Sequence, residues 1–207
     1  MLYLTGCMPK KYELQQNLFD AGFGVLTTPY SLKKRPSNNW IWAADNGCYS
    51  NRWEYHIWEK WLKSNLNPET ALFATVPDVV CDHNATVKKW KCHWEQVKHY
   101  GYKTAFVLQD NATIDTMPLN DMDALFIGGS TKYKLSDEAH QIVKHCKNLG
   151  KWIHMGRVNS QRRMQIAYEW GCDSVDGTYL AFAPDANTPR LIRFMNAGTQ
   201  PQLFGGI

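Results

Sequence analysis

The 207-residue sequence predicts a compact (β/α)₈ barrel, a TIM-like α/β fold spanning 1–207 as a single domain. Three observations carry that expectation. Eight short, near-continuous apolar segments recur along the chain, most are followed by a helical pattern, and polar residues gather just past their C-terminal ends. Unbroken apolar strands are those buried on both faces, as in a parallel sheet covered by helices. Eight such units suit a closed barrel; an open doubly wound sheet is the alternative.

The elements follow in order. Leu2 to Thr5 is a strand closed by Gly6, and Pro9 opens a helix to about Asp20. The second strand runs from Gly24 to Pro29, and the loop from Tyr30 to Asn39 is basic and has no helical period. The third strand, 41–45, delivers Asp45. Trp53, Ile57, Trp58, Trp61 and Leu62 then recur at helical spacing, as one packing face. The fourth strand, 72–77, ends in Asp78, and Asn84 caps a helix with the stripe Val87, Trp90, Trp94, Val97. The fifth, 103–108, leads to Gln109 and Asp110, and Pro118 limits the linker 111–121 to a short helix. The sixth, 124–127, ends in Gly128 and Gly129. Ser136 then caps a helix with the stripe Ala139, Ile142, Val143, Cys146, Leu149. The seventh, 152–156, carries His154 and Met155, and Ser160 starts a helix through Trp170. The eighth, 174–176, ends in Asp176, and Thr188-Pro189 opens the last helix.

Bulk composition narrows the function classes. Apolar residues make up 44% and charged residues 20%, ordinary for a globular chain. A net charge of +4 permits a nucleic-acid partner without requiring one. The nine Trp, ten Tyr and eight Phe exceed what a core needs and suit stacking on bases or sugars. No apolar run reaches the roughly 18 residues of a membrane span, and the N-terminus lacks a signal-peptide pattern, so a cytoplasmic protein without a membrane partner is expected. The six cysteines form no Cys-x-x-Cys pair, which argues against structural zinc and disulfides. Asp78, Asp82, His83 and His154 are metal-capable types, but no His-x-His or His-Glu-x-x-His spacing supports a metal, and no cofactor is expected.

The strand-end residues are Asp45, Asp78, Gln109, Gly128, Gly129, His154, Met155 and Asp176. In a barrel they converge on one mouth. Each aspartate alone is an ordinary turn former. Together they fit a planar polar ligand, with carboxylates and an amide for its edge and glycine backbone for close approach. Loops on that face carry Lys33, Lys34, Arg35, Lys132, Lys134 and Arg157, and Arg162 and Arg163 follow in the next helix. Acids at the centre with cations around the rim fit a polyanion whose reacting atom is not the phosphate, as in nucleic acid. Tyr30, Tyr49 and Tyr133 are placed to stack bases or to pack.

These segments resemble the tRNA-guanine transglycosylases. They are closer to the shorter relatives that place 7-deazaguanine bases in phage and bacterial DNA, the DpdA-like proteins. Ala44-Asp45-Asn46-Gly47-Cys48-Tyr49 is similar to the family's Asp-Ser-Gly-Gly-Phe segment. Asp78 and Gln109 match base-binding positions, Gly128-Gly129 a glycine pair against the base, and Met155-Gly156 a pair that covers the ring, with His154 and Tyr49 beside it. Gly171 to Asp176 resembles the segment bearing the nucleophilic aspartate. The resemblance covers short islands between 41 and 178. It implies that Asp176 attacks C1′ while Asp45 moves the proton, exchanging guanine for a free 7-deazaguanine base. Two features depart from the tRNA enzymes: the zinc subdomain is absent, and Tyr179-Leu180-Ala181 stands where they carry Pro-Thr-Arg. Both departures favour DNA over tRNA as the substrate. The rival readings are a nucleoside or DNA glycosylase on the same site, and a nucleic-acid-binding barrel without catalysis.

Overall fold

The computed structural model describes residues 1–6, 12–30, 41–64 and 67–199. Its strands are β1 (Leu2–Thr5), β2 (Phe23–Thr27), β3 (Trp42–Ala44), β4 (Ala71–Thr75), β5 (Thr104–Leu108), β6 (Ala124–Ile127), β7 (Trp152–Met155) and β8 (Ser174–Gly177). All pair in parallel in sequence order, and β8 returns to β1 to close the barrel. Closure rules out the open sheet. The helices are α1 (Tyr12–Asp20), α2 (Tyr55–Lys63), α3 (His83–His99), α4 (Thr131–Lys134), α5 (Asp137–Asn148), α6 (Gln161–Glu169) and α7 (Pro184–Thr199).

Local chemistry sets most boundaries where the sequence places them. Ser136 accepts from the Ala139 N–H and caps α5, and Ser160 accepts from the Arg163 N–H and caps α6. Three expectations are corrected. The cap of α3 is Asp82, whose carboxylate accepts from the Ala85 N–H at 2.9 Å, so the helix starts one residue before Asn84. Both residue types cap well, and Asp82 is the one with extended backbone. The last helix begins at Pro184 and encloses Pro189. A proline suits the first turn, and Pro189 forgoes one intrahelical bond. Leu149 follows α5 and is half exposed, outside the apolar stripe.

Two apolar layers result. The inner layer is small: Leu4, Ala43, Phe73, Ala105 and Ala124 fill the barrel, with Leu26 and Phe126 packed against them. Three alanines leave room for the Phe73 ring, an alternation of small and large that closes the space. The outer layer joins strands to helices through residues such as Phe106, Leu125, Ile153, Met155 and Val175.

Register decides which polar residues face inward. Cross-strand partners share a face, and Phe126 pairs with His154, which pairs with Ser174. Asp176, two residues beyond Ser174, takes the same inner face and pairs with Leu4 of the inner layer. Met155, one residue on from His154, therefore points outward with Ile127 and Val175.

Gly177 closes β8 under steric compulsion. A Cβ there would meet the Tyr3 hydroxyl and lie 2.5 Å from Asn159 Oδ1 and 2.6 Å from the Val158 carbonyl oxygen. Gly177→Ala is expected to cost about 1–3 kcal/mol through overpacking. Urea unfolding measures it, and an unchanged midpoint would show that β8 and its neighbours relax freely.

Candidate active site

The C-terminal ends of the strands surround a cavity of about 200 Å³. Asp45, Tyr49, Asp78, Gln109, Gly128, Gly129, Arg157 and Asp176 all line it, and Leu26, Val80, Val107 and Phe126 supply apolar wall. Pockets for drug-sized ligands run about 300–1,000 Å³. This one suits a single compact ring.

Asp176 is held at both oxygens. Its Oδ1 accepts from the Arg157 backbone N–H at 3.1 Å, and its Oδ2 lies 2.9 Å from His154 Nε2. His154 is wholly buried, tilted against Phe126 and edge-on to Phe73, with centroids at 4.5 and 5.2 Å. Its Nδ1 lies 2.8 Å from Ser174 Oγ, which also accepts from Trp152 Nε1 at 2.9 Å. An ionised carboxylate only accepts, so Nε2 carries the proton toward Asp176. With the Trp152 indole donating to Ser174, the serine hydroxyl is free to donate to Nδ1. Trp152, Ser174, His154 and Asp176 thus form a directed chain whose donors and acceptors match.

Asp45 is held more weakly. Its side chain accepts from Thr75 Oγ1 at 3.3 Å and from the Gly47 backbone. Burial first, then the charges of Asp176 and Asp78, push its pKa up to about 7. A carboxyl group near neutrality beside a fixed carboxylate is the arrangement that proton transfer requires. Among the described residues neither Asp45 nor Asp176 is ion-paired to a lysine or arginine side chain.

Asp78 anchors the third wall. Asn46 Nδ2 donates to its Oδ1 at 2.9 Å, and Gln109 Nε2 to its Oδ2 at 2.6 Å. Gln109 Oε1 accepts in turn from the Cys81 N–H at 2.8 Å. Burial raises the Asp78 pKa, opposed by the Asn46 hydrogen bond and the Lys89 charge. Lys89 reaches the Asp78 backbone carbonyl at 3.1 Å while crossing the Trp53 ring. The Cys48 thiol and the Asp78 backbone N–H add further hydrogen bonds to this carboxylate.

Gly128 and Gly129 form the β6 side. Gly129 has φ +68°, and a Cβ there would strike Asp110 Oδ2. Asp110 accepts from the Ser130 N–H at 2.6 Å, fixing this turn. The Arg157 guanidinium donates to the Gly129 carbonyl and stacks over Tyr49 at 4.8 Å, so one side chain spans the β6, β7 and β3 loops.

Three sequence expectations change. Met155 faces the helix layer and is wholly buried, so it does not cover the cavity. His154 lies beneath Asp176 and meets the carboxylate, not a bound ring. Lys134 is wholly buried, donating from Nζ to the Gly156 carbonyl just past β7 at 2.7 Å; it is no rim contact. Tyr30 and Tyr133 take the packing alternative, with hydroxyls donating to the Arg52 and Ala112 carbonyls. Lys132 is exposed as expected, and Lys33, Lys34 and Arg35 lie outside the described residues. The sequence reading missed Asn46 as the Asp78 partner, though it directly follows the strand-end acid, and it missed the Trp152–Ser174 support. Among the described residues no group of three or more His, Cys, Asp or Glu is arranged to hold a metal. None of the described helices is long and apolar enough to cross a membrane.

No protein-family model matches the chain, and no curated protein does. Many solved structures share the fold, and two of them serve as examples. One, described as "Native KDPGal structure", has 13% identity and a TM-score of 0.56 over 95% of this chain and 92% of the other. The second is tryptophan synthase from M. tuberculosis in its aminoacrylate- and BRD0059-bound form, with 12% identity and a TM-score of 0.58 over 97% and 91%. Identities this low establish the barrel architecture alone.

The raised Asp45 pKa has a direct consequence for pH dependence. The folded state binds its proton more tightly than the unfolded chain, whose value is about 3.9. Stability from this group is full below about 4 and is lost as pH rises through about 7. Carbon-detected NMR of the carboxyl should show a midpoint near 7 that falls in Asp176→Asn, where one repelling charge is gone. A midpoint near 4 in the native protein would remove the basis for a proton-transfer role.

Proposed function

We propose that this chain is a base-exchange transglycosylase that replaces guanine in nucleic acid with a 7-deazaguanine base. The observation that carries the reading is that Asp45 and Asp176 share one small cavity with opposite characters. Asp176 is a carboxylate fixed by two donors, and Asp45 is a carboxyl group held near neutrality. Asp78, Gln109 and the Gly128–Gly129 backbone line the same cavity and offer acceptors, donors and close approach to a ring edge.

The steps follow from those positions. Asp176 attacks C1′, forming a C1′–O bond as the C1′–N9 bond breaks, and Asp45 gives its proton to the departing purine. The ring of the incoming base then takes the vacated place. Its N9 attacks C1′ as the ester bond to Asp176 breaks, and its proton passes to Asp45. This is the two-carboxylate logic of retaining glycoside chemistry. A base inside a duplex must be flipped out or presented on a single strand.

DNA is favoured over tRNA on the resemblance. Rim support for a polyanion comes from exposed Lys132 and Arg162, with exposed Tyr49 at the cavity mouth. Water in place of the incoming base would make the same site a glycosylase.

Nucleoside mass spectrometry of DNA incubated with protein, labelled guanine and candidate deazaguanines tests the proposal. Exchange without abasic sites is expected; abasic sites without exchange would make it a glycosylase. Asp176→Asn should abolish a denaturation-stable sugar–protein adduct, and Asp45→Asn should slow guanine release by about 10²–10⁴-fold. DNA affinity unchanged by both substitutions, with no adduct in the native protein, would leave only a binding barrel.

A further inference from the structure

Asp176 receives one of its two hydrogen bonds from the N–H of the Gly156–Arg157 peptide. The carbonyl of that same peptide unit accepts from Lys134 Nζ at 2.7 Å. The peptide therefore lies between an ammonium group and a carboxylate, its dipole aligned by both. Arg157 takes φ +58°, a left-handed conformation costly for a side-chain residue, and that conformation presents the N–H to the acid. The Arg163 guanidinium donates to the Arg157 carbonyl at 3.1 Å, securing the next peptide. Lys134 is wholly buried. A buried ammonium is costly unless it is hydrogen-bonded, and the Gly156 carbonyl supplies such a bond here.

We propose that Lys134 is a positioning residue for Asp176, acting through the Gly156–Arg157 peptide to sharpen the N–H that binds the nucleophilic carboxylate. The geometry stands without the transglycosylase reading; the chemical consequence rests on it. When the sugar–Asp176 ester breaks, the C1′–O electron pair returns to the carboxylate, N9 of the incoming base forms its bond to C1′, and the N9 proton goes to Asp45. A polarised N–H stabilises the returning charge, so Lys134 assists the second step more than the first.

The charged and titratable groups facing Lys134 are Arg157, Arg163 and Asp176. Burial, then the two arginines, lower its pKa to about 7, opposed by Asp176, so the ammonium loses its proton near neutrality. The Arg157 amide should report that loss directly.

The test follows the Arg157 amide by ¹H–¹⁵N NMR across neutral pH in an Asp45→Asn background, which removes the Asp45 titration from that range. An inflection near 7 is expected, lost in Lys134→Met. Should Lys134→Met not fold, Lys134→Arg serves, since its permanent charge also removes the inflection. A flat amide with Lys134 intact, or an inflection that survives either substitution, overturns the proposal. In parallel, with Asp45 native, the sugar–protein adduct should live about ten-fold longer in Lys134→Met, the scale of one charge-assisted hydrogen bond, while its formation is unslowed. Equal slowing of both steps would indicate a merely structural lysine. An absence of adduct in the native protein would instead count against the transglycosylase reading, leaving the amide titration to judge the relay.

Discussion

Asp45, Asp78 and Asp176 share a cavity of about 200 Å³, and the repulsion among three carboxylates in so little space governs the rest of the site. A like charge nearby and burial both disfavour ionisation. The protein settles the conflict by dividing its donors unequally. Asp176 has an imidazole and a backbone N–H; Asp78 has two amides and a lysine charge close by. Asp45 has only a long hydroxyl contact and one backbone donor, and it keeps the proton. Assignment of roles is thus a result of hydrogen-bond supply. The acid with the weakest donors becomes the candidate proton carrier, and the acid with the best-directed donors becomes the candidate nucleophile.

Barrel closure makes that division possible. β8 pairs with both β7 and β1, so His154 and Asp176 come from adjacent strands on one inner face. Their separation is then set by the sheet and not by a flexible loop. Below them the inner layer of alanines and Phe73 is apolar and closed, which excludes water from the back of the carboxylates. The low-dielectric floor strengthens the His154–Asp176 bond and raises the cost of a charge on Asp45 at the same time.

The strand-and-helix alternation was legible because each strand is short, apolar and bounded by a cap or a glycine. The strand-end acids were legible for the same reason: Asp45, Asp78 and Asp176 each sit where an apolar run stops. Facing was not. Trp152-Ile153-His154-Met155 is apolar or amphipathic throughout and buried along nearly its whole length, so periodicity gives no parity. Only the pairing of His154 with Ser174 settles that Met155 points to the helices. Lys134 failed for a different reason. A lysine in Thr131-Lys132-Tyr133-Lys134 reads as solvated, whereas here it ends a four-residue helix capped by Ser130 and its Nζ reaches the Gly156 carbonyl. Capping was visible locally; where the capped turn comes to rest is a tertiary outcome.

The cations around the acids share one habit. Lys134 donates to the Gly156 carbonyl, Lys89 to the Asp78 carbonyl, and Arg157 to the Gly129 carbonyl. None of these three charged heads forms an ion pair with a cavity carboxylate. A direct ion pair would hold Asp176 or Asp45 in a strong, charge-assisted bond that substrate would first have to break. Anchoring the positive charge on a backbone oxygen instead lets its field reach the acid while leaving the carboxylate's remaining lone pairs open to the cavity. The same bonds fix the three loops that carry the site, so electrostatic support and loop geometry are supplied by the same side chains. A barrel with these acids but with cations free to swing inward would quench them; the carbonyl anchors keep charge near and contact away.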